Sequence, residues 1–259
     1  MVNKIIHIVF TLISVTALLC CQSQTHKELH EANKLLETNL DSAQLIVQSI
    51  QPNSLHCIAD SAYYVLLKSI ITYKCYEKQP TSTLDFPVQF YEKEKDYRLL
   101  QKAYYYRGAI NVDNKGKEEI SVLDFKKAEN LNEIVRDSSL IKKLYGSMTD
   151  LYFSSKNYRD DLVYEKKCLS LAHKLNDKDM LACNYGGMAI CLKALGKRQM
   201  AAQYIDSSLY YVNNITQKKS QSVVYSNAGN FYVDYDLNKA ASYYNKALSI
   251  SPSNVFRAL

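Results

Sequence analysis

Hydrophobic, small and polar positions alternate in the second half of the chain with a period of forty residues. A tyrosine marks the same point of each period, at Tyr105, Tyr145, Tyr185 and Tyr225. Glycine, alanine, threonine or methionine follows three and four positions later, and valine, leucine or tyrosine follows seven positions later. These offsets place side chains on one face of an α-helix, so the pattern predicts a helix at each tyrosine.

A second helix is predicted after a short polar break in each period. Its inward face carries a small residue, a large residue four positions later and another small residue three positions after that. This triplet occurs at Ser121, Phe125 and Ala128, at Ala201, Ile205 and Ser208, and at Ala240, Tyr244 and Ala247. We expect the small residues to mark where helices touch and the tyrosines to fill the space between them. The period that begins at Lys142 instead has Asp161 and Glu165 in the small and large positions, which predicts a shifted or looser helix there.

The chain before residue 101 carries weaker helical signals. Residues 32–52 indicate a helix pair, with a start signal at Asp41 and Ser42. Residues 54–78 are typical of one long helix, residues 79–87 of a loop, and residues 88–97 of a partner helix.

The forty-residue pattern resembles the tetratricopeptide repeat (TPR). The last period carries most of the positions of that repeat: Tyr225, Ala228, Gly229, Tyr232, Ala240, Tyr244, Ala247 and Pro252. The resemblance implies an all-α fold, a right-handed superhelical solenoid of about six antiparallel helix pairs. Because the usual TPR period is about 34 residues, we expect helices longer by up to ~9 Å in total. The sequence from LDSAQLIVQSIQP to QKAYYYRGA also resembles a group of TPR lipoproteins from Bacteroidetes.

The beginning of the chain is typical of a secretory signal. Lys4 precedes an apolar run from Ile5 to Leu19, which is shorter than the roughly 20 residues of a membrane-spanning helix. Residues 18–21, LLCC, resemble the lipobox of bacterial lipoproteins, with Cys21 as the lipidated residue and Cys20 as the alternative. The resemblance implies a lipid anchor of a diacylglycerol and an amide-linked acyl chain such as palmitate. The outer membrane is favoured because no aspartate follows the cysteine, and the sequence leaves open which face carries the protein.

These patterns divide the chain into four segments. Residues 1–20 are predicted to be the signal peptide, 21–31 a tether, 32–100 degenerate helix pairs, and 101–259 four TPR-like repeats. Repeat arrays usually end in a polar capping helix, and the sequence NVFRAL does not resemble one. A product truncated at Leu259 is therefore an open alternative.

Composition and motifs argue against nucleic-acid binding and catalysis. The net charge of +6 comes from basic residues mixed with acidic ones, as in YEKEKDYR, without the basic stripe of a nucleic-acid binder. His26 and His30 lie one helical turn apart, but Lys27 stands where a zinc-protease motif has glutamate. No cysteine pair has metal-binding spacing, and no glycine-rich phosphate loop is present. The sequence predicts no catalytic residue, no metal and no cofactor.

The resemblance implies that a protein or peptide partner binds the concave face formed by the first helix of each repeat. The positions that correspond are Tyr106, Ile110, Asp113, Lys143, Asp150, Phe153, Cys183, Ile190, Lys193, Asn230 and Val233. We therefore expect a non-catalytic, membrane-anchored interaction scaffold in the bacterial cell envelope. Two alternatives are the sensor half of a truncated membrane signalling protein and a glycan-binding lipoprotein of a polysaccharide-uptake system.

Overall fold

A computed structural model describes residues 24–114 and 118–251, and these residues are all-α with no β-strand among them. The predicted signal peptide, Cys20, Cys21 and Pro252 lie outside the described residues. The described chain forms six helix pairs, arranged in two compact units that meet in sequence at Val135 and Arg136. No described helix has the length and apolar character needed to cross a membrane.

The first unit contains seven α-helices among its described residues. They are α1 (Gln24–Leu35), α2 (Leu40–Ser49), α3 (Ile58–Lys74), α4 (Asp85–Glu94), α5 (Tyr97–Asp113), α6 (Glu118–Glu129) and the short α7 (Asn132–Val135), with 3₁₀ turns at Pro52–Ser54 and Thr81–Leu84. Consecutive helices from α1 to α6 pack against each other, α3 also contacts α1 and α5, and α7 contacts α5. The loop predicted over residues 79–87 is shorter than expected, because α4 already begins at Asp85.

The predicted tether over residues 21–31 is wrong from Gln24 onward. Those residues form most of α1, and Leu29 and Ala32 on its inner face are completely buried. The His26 ring contacts the buried carboxylate of Asp60 on α3, with 2.7 Å between Nδ1 and Oδ1. The segment is polar overall, but three buried positions and this contact are enough to hold it on the unit.

Arg107 connects three helices of the first unit. Its guanidinium donates two hydrogen bonds to Asp124 on α6, at 2.8 and 2.7 Å, and one to Asp85 on α4, at 2.9 Å. Bidentate pairs of this kind are stronger and more directional than single contacts. Tyr105 and Phe125 pack next to this network, and both rings are buried.

The second unit is the more regular of the two. It contains α8 (Ser138–Ser154), α9 (Tyr158–Leu175), α10 (Lys178–Ala194), α11 (Arg198–Tyr211), α12 (Lys218–Tyr232) and α13 (Leu237–Ile250), with a 3₁₀ turn at Val212–Asn214. Consecutive helices pack on one another, and α10 also packs on α12, the first helix of the following pair. One pair with its connections, from Ser138 to Asp177, takes up forty residues. The longer repeat period therefore does produce long helices, of 17 and 18 residues in this pair.

Side chains at the helix ends explain why the breaks fall where they do. An Asp or Asn side chain accepts a backbone N–H bond at the start of the helices that follow Asn39, Asp96, Asp137, Asn157, Asp177 and Asp236. The turn after α10 contains Gly196 with φ of 73°, a left-handed conformation that glycine adopts without a steric penalty. Lys156 occupies the equivalent position one period earlier with φ of 57°.

The small residues lie at the helix contacts, as predicted. Ala128, Ala201, Ala228 and Ala247 are completely buried. Two of the tight contacts also contain a buried serine hydroxyl that bonds across to a backbone carbonyl. Ser208 on α11 donates to the carbonyl of Ala182 at 2.7 Å, and Ser222 on α12 donates to that of Ala247 at 3.1 Å.

The second helix of the period that begins at Lys142 is neither shifted nor loose. It is α9, a regular helix that starts forty residues before α11. Tyr164 supplies the large buried ring at one position before Glu165, and Cys168 is the small residue on the same face. The expected disturbance is therefore wrong, and Asp161 and Glu165 are accommodated as buried acids instead.

Candidate ligand pocket in the second unit

A cavity of about 250 Å³ lies between four helices of the second unit. Helices α8, α9, α10 and α12 each contribute side chains to its wall, which consists of Thr149, Asp150, Phe153, Asp161, Glu165, Cys183, Asn184, Gly187, Ile190, Val223 and Asn227. Phe153 is 44% exposed, so the pocket can be reached from solvent at that side. Three of these helices, α8, α10 and α12, are the first helices of their repeats.

Two carboxylates lie in the wall on α9. Asp161 and Glu165 are one helical turn apart, and they are only 1% and 8% exposed. The thiol of Cys191 donates to Asp161 Oδ2 at 3.0 Å. Within the described part of the chain, Asp161 Oδ1 and Glu165 Oε2 are buried and have no hydrogen-bond partner.

Burial controls the protonation of this pair. Loss of solvation raises the pKa of Asp161 to about 6, because the effect exceeds the opposing hydrogen bond from Cys191. Burial raises the pKa of Glu165 further above its ordinary value, and the neighbouring charges of Asp161 and Asp150 act in the same direction. The two acids therefore hold protons at a pH where exposed carboxylic acids are ionised.

Gly187 on α10 makes the space that Glu165 occupies. A Cβ atom at this position would collide with the Glu165 carboxylate, at both Oε1 and Cδ. The contact between α9 and α10 therefore depends on a large acid facing a residue without a side chain. Loss of solvation also acts on the Cys183 thiol of α10 and raises its pKa to about 11.

The structure brings only part of the predicted groove together. Asp150, Phe153, Cys183 and Ile190 all line the pocket. Lys143 on α8 is half-buried and does not line it.

Lys193 and Asn230 are engaged in contacts within the second unit. The ammonium group of Lys193 pairs with Asp234 at 2.7 Å and donates to the carbonyl of Asn230 at 2.5 Å. The side chain of Asn230 accepts a bond from the Tyr244 hydroxyl at 2.6 Å. These residues join α10, α12 and α13 rather than facing the pocket.

The three predicted groove residues of the first unit have different surroundings, and Ile110 is buried in the core of α5. Tyr106 was predicted to face a partner, but it is only 3% exposed and packs edge-on against Tyr73 and Tyr105. The structure therefore assigns Tyr106 to the core, because Tyr73 at the end of α3 and the neighbouring Tyr105 pack against its ring. Asp113 is exposed at the end of α5.

Sequence reasoning did not include Asp161, Glu165, Asn184, Gly187 and Asn227 among the binding residues. A signal for the two acids was present, since they stand where the repeat has a small and an aromatic residue. No signal for Gly187 existed in the repeat pattern. In the described residues, no group of His, Cys, Asp and Glu has the arrangement of a metal site, and no disulfide joins the cysteines.

Comparisons with known proteins establish the fold. No protein-family model matches the chain, and no curated protein sequence matches it either. The structure is similar to that of Rap protein complexed with competence and sporulation factor, with a TM-score of 0.61 and 17% identity over 91% of this chain and 68% of that one. It is also similar to NprR in complex with its cognate peptide NprX, with a TM-score of 0.58 and 14% identity over 99% of this chain and 78% of that one. Both are TPR-like solenoids. The chain has a TPR-type fold.

Proposed function

We propose that this protein is a non-catalytic, lipid-anchored TPR scaffold of the bacterial cell envelope that binds a protein or peptide partner through its second unit. The pocket between α8, α9, α10 and α12 is the observation that supports this proposal most directly. It combines exposed apolar surface at Phe153 with polar groups deeper in the wall. A pocket with this combination of groups binds a peptide side chain better than a flat surface does.

The structural neighbours support the same choice of partner. Rap protein was solved with competence and sporulation factor, and NprR with its cognate peptide NprX. Their low sequence identity means that they support the fold, whereas the peptide partner of this chain is our proposal. Lipid anchoring rests on the sequence LLCC at residues 18–21 and on the apolar run before it.

The partner proposal is tested by binding of the full chain to an array of short random-sequence peptides. Phe153→Ala is the test variant, because it removes the exposed apolar side of the pocket. Leu237→Ala is the matched control, since Leu237 is 71% exposed and lies outside the pocket. We expect Phe153→Ala to weaken binding at least tenfold and Leu237→Ala to bind like the unchanged chain. Equal binding by both variants would place the partner elsewhere.

The anchor proposal is tested by membrane fractionation of Cys21→Ser and Cys20→Ser variants. We expect Cys21→Ser to release the protein from the membrane fraction and Cys20→Ser to leave it there. The intact mass of the membrane-extracted protein provides a second measurement. A mass of residues 21–259 plus the lipid groups supports the short scaffold, whereas a much heavier species would favour the sensor alternative.

A further inference from the structure

The acid pair in the pocket is not neutralised by basic residues of the pocket wall. Lysine and arginine are absent from the residues that line it. Asp161 Oδ1 and Glu165 Oε2 are both buried and have no hydrogen-bond partner in the described chain. Buried carboxyl oxygens without a hydrogen-bond partner are unfavourable for a folded protein, so a ligand that supplies the missing donors would stabilise them.

The pocket-lining residues of the packed helices carry no positive charge. Helix α8 contributes Asp150, which has the same sign, and α12 contributes the uncharged Val223 and Asn227. The thiols of Cys168, Cys183 and Cys191 lie nearby on α9 and α10, and burial keeps them protonated by raising the pKa of each. Lys142 of α8 influences Cys168 but forms an ion pair with Asp177 at 2.6 Å.

The dimensions of the pocket suit a single side chain. Its volume of about 250 Å³ lies just below the ~300–1,000 Å³ of pockets that hold drug-sized molecules. Phe153 and Ile190 offer apolar surface in the same wall as the acids. Long basic side chains combine an apolar stem with a charged end, so lysine and arginine match both parts of this wall.

We propose that the pocket receives one lysine or arginine side chain of a partner peptide or protein, with its charged end bound by Asp161 and Glu165. This inference rests on the proposed function and specifies the chemistry of the partner. The incoming cation takes the hydrogen-bond positions that Asp161 Oδ1 and Glu165 Oε2 leave open. It also stabilises their ionised forms, so protons leave the pair when the side chain enters.

The test compares two pools of immobilised short peptides that differ only at the central residue. One pool has lysine there, and the other has norleucine, which keeps the apolar stem and lacks the charge. The full chain is measured beside Glu165→Gln, Asp161→Asn and the control Asp206→Asn. Asp206 is an exposed acid of α11 outside the pocket, so its replacement makes the same carboxyl-to-amide change away from the pocket. Far-UV circular dichroism establishes that each variant is folded.

We expect the unchanged chain and Asp206→Asn to prefer the lysine pool by about tenfold or more, as a charged hydrogen bond provides. Glu165→Gln should lose most of this preference, and Asp161→Asn should reduce it. Binding of the lysine pool should also become tighter from about pH 5 to about pH 8, because fewer protons must then be displaced.

Three outcomes would overturn the inference in distinguishable ways. If the unchanged chain binds both pools equally, or the variants at Asp161 and Glu165 keep the full preference, the cation site is wrong and the peptide-binding function stands. If neither pool binds, the proposed function fails together with the inference. If free cadaverine competes for the pocket as well as a free peptide of the lysine pool does, the pocket serves a small amine rather than a peptide side chain.

Discussion

Two glycines at the same point of successive repeats are expected to respond in opposite directions to the same substitution. Gly146 follows Tyr145 on α8, and Gly186 follows Tyr185 on α10, forty residues later. A Cβ atom at Gly146 would meet nothing within 4 Å. A Cβ atom at Gly186 would lie 2.6 Å from Asn227 Nδ2 and 3.1 Å from Asn227 Cβ.

The magnitudes follow from two terms. Replacement of glycine by alanine in a helix gains about 0.5–1 kcal/mol at either position, because alanine loses less backbone entropy on folding. At Gly186 the added methyl group also pushes against α12 and lies 3.2 Å from the Ser208 hydroxyl. Overpacking of this kind costs about 1–3 kcal/mol. Since the helix-propensity term is common to both variants, their difference in stability measures the cost of the contact alone.

Urea unfolding followed by far-UV circular dichroism provides the measurement. We expect Gly146→Ala to raise the free energy of unfolding. The free energy of unfolding of Gly186→Ala should be lower than that of Gly146→Ala by about 1–3 kcal/mol. If the two variants have equal stability, helices α10 and α12 can move apart without cost. The argument that small residues fix the distance between repeats would then be wrong.

Three further predictions concern the core, the acids and an ion pair. Phe125→Ala should lower the free energy of unfolding by about 3–5 kcal/mol, because its ring is completely buried, and a loss below about 1 kcal/mol in urea would contradict this. The second unit should lose stability as pH rises from about 4 through about 6 and above, because Asp161 and Glu165 bind protons more tightly when folded. Thermal melts at a series of pH values measure this, and Glu165→Gln should flatten the slope. Lys193→Met should cost about 1 kcal/mol by breaking the contact with Asp234, and an unchanged urea midpoint would show that the pair contributes nothing.

The repeat pattern predicted the positions of the helices because each helix has its own periodic face. It could not predict the acids of α9 correctly, since their accommodation depends on a residue of another helix. Glu165 fits because Gly187 lies opposite it on α10, and Tyr164 takes over as the large buried ring. Pairings between helices are not visible in the periodicity of either one.

The tether predicted for the start of the chain and the assignment of Lys193 to the groove both overlooked contacts with other helices. The segment from Gln24 is polar enough to be taken for a tether, but a few buried residues and the contact with Asp60 hold it in place. Lys193 was assigned to a partner because its position corresponds to the concave face of the repeat. Asp234 and Asn230, both from the following repeat, already bind its ammonium group.

The two serine hydroxyls at the tight helix contacts restrict how the repeats could be exchanged in evolution. Ser208 bonds from the second helix of its pair to the first, and Ser222 bonds from the first helix of its pair to the second. If α13 replaced α11, Ala247 would face Ala182, and neither residue would offer a hydroxyl. If α11 replaced α13, two serines would compete for the same narrow space. Duplication of a complete helix pair preserves each donor with its acceptor, so whole pairs rather than single helices are the units that can be recombined.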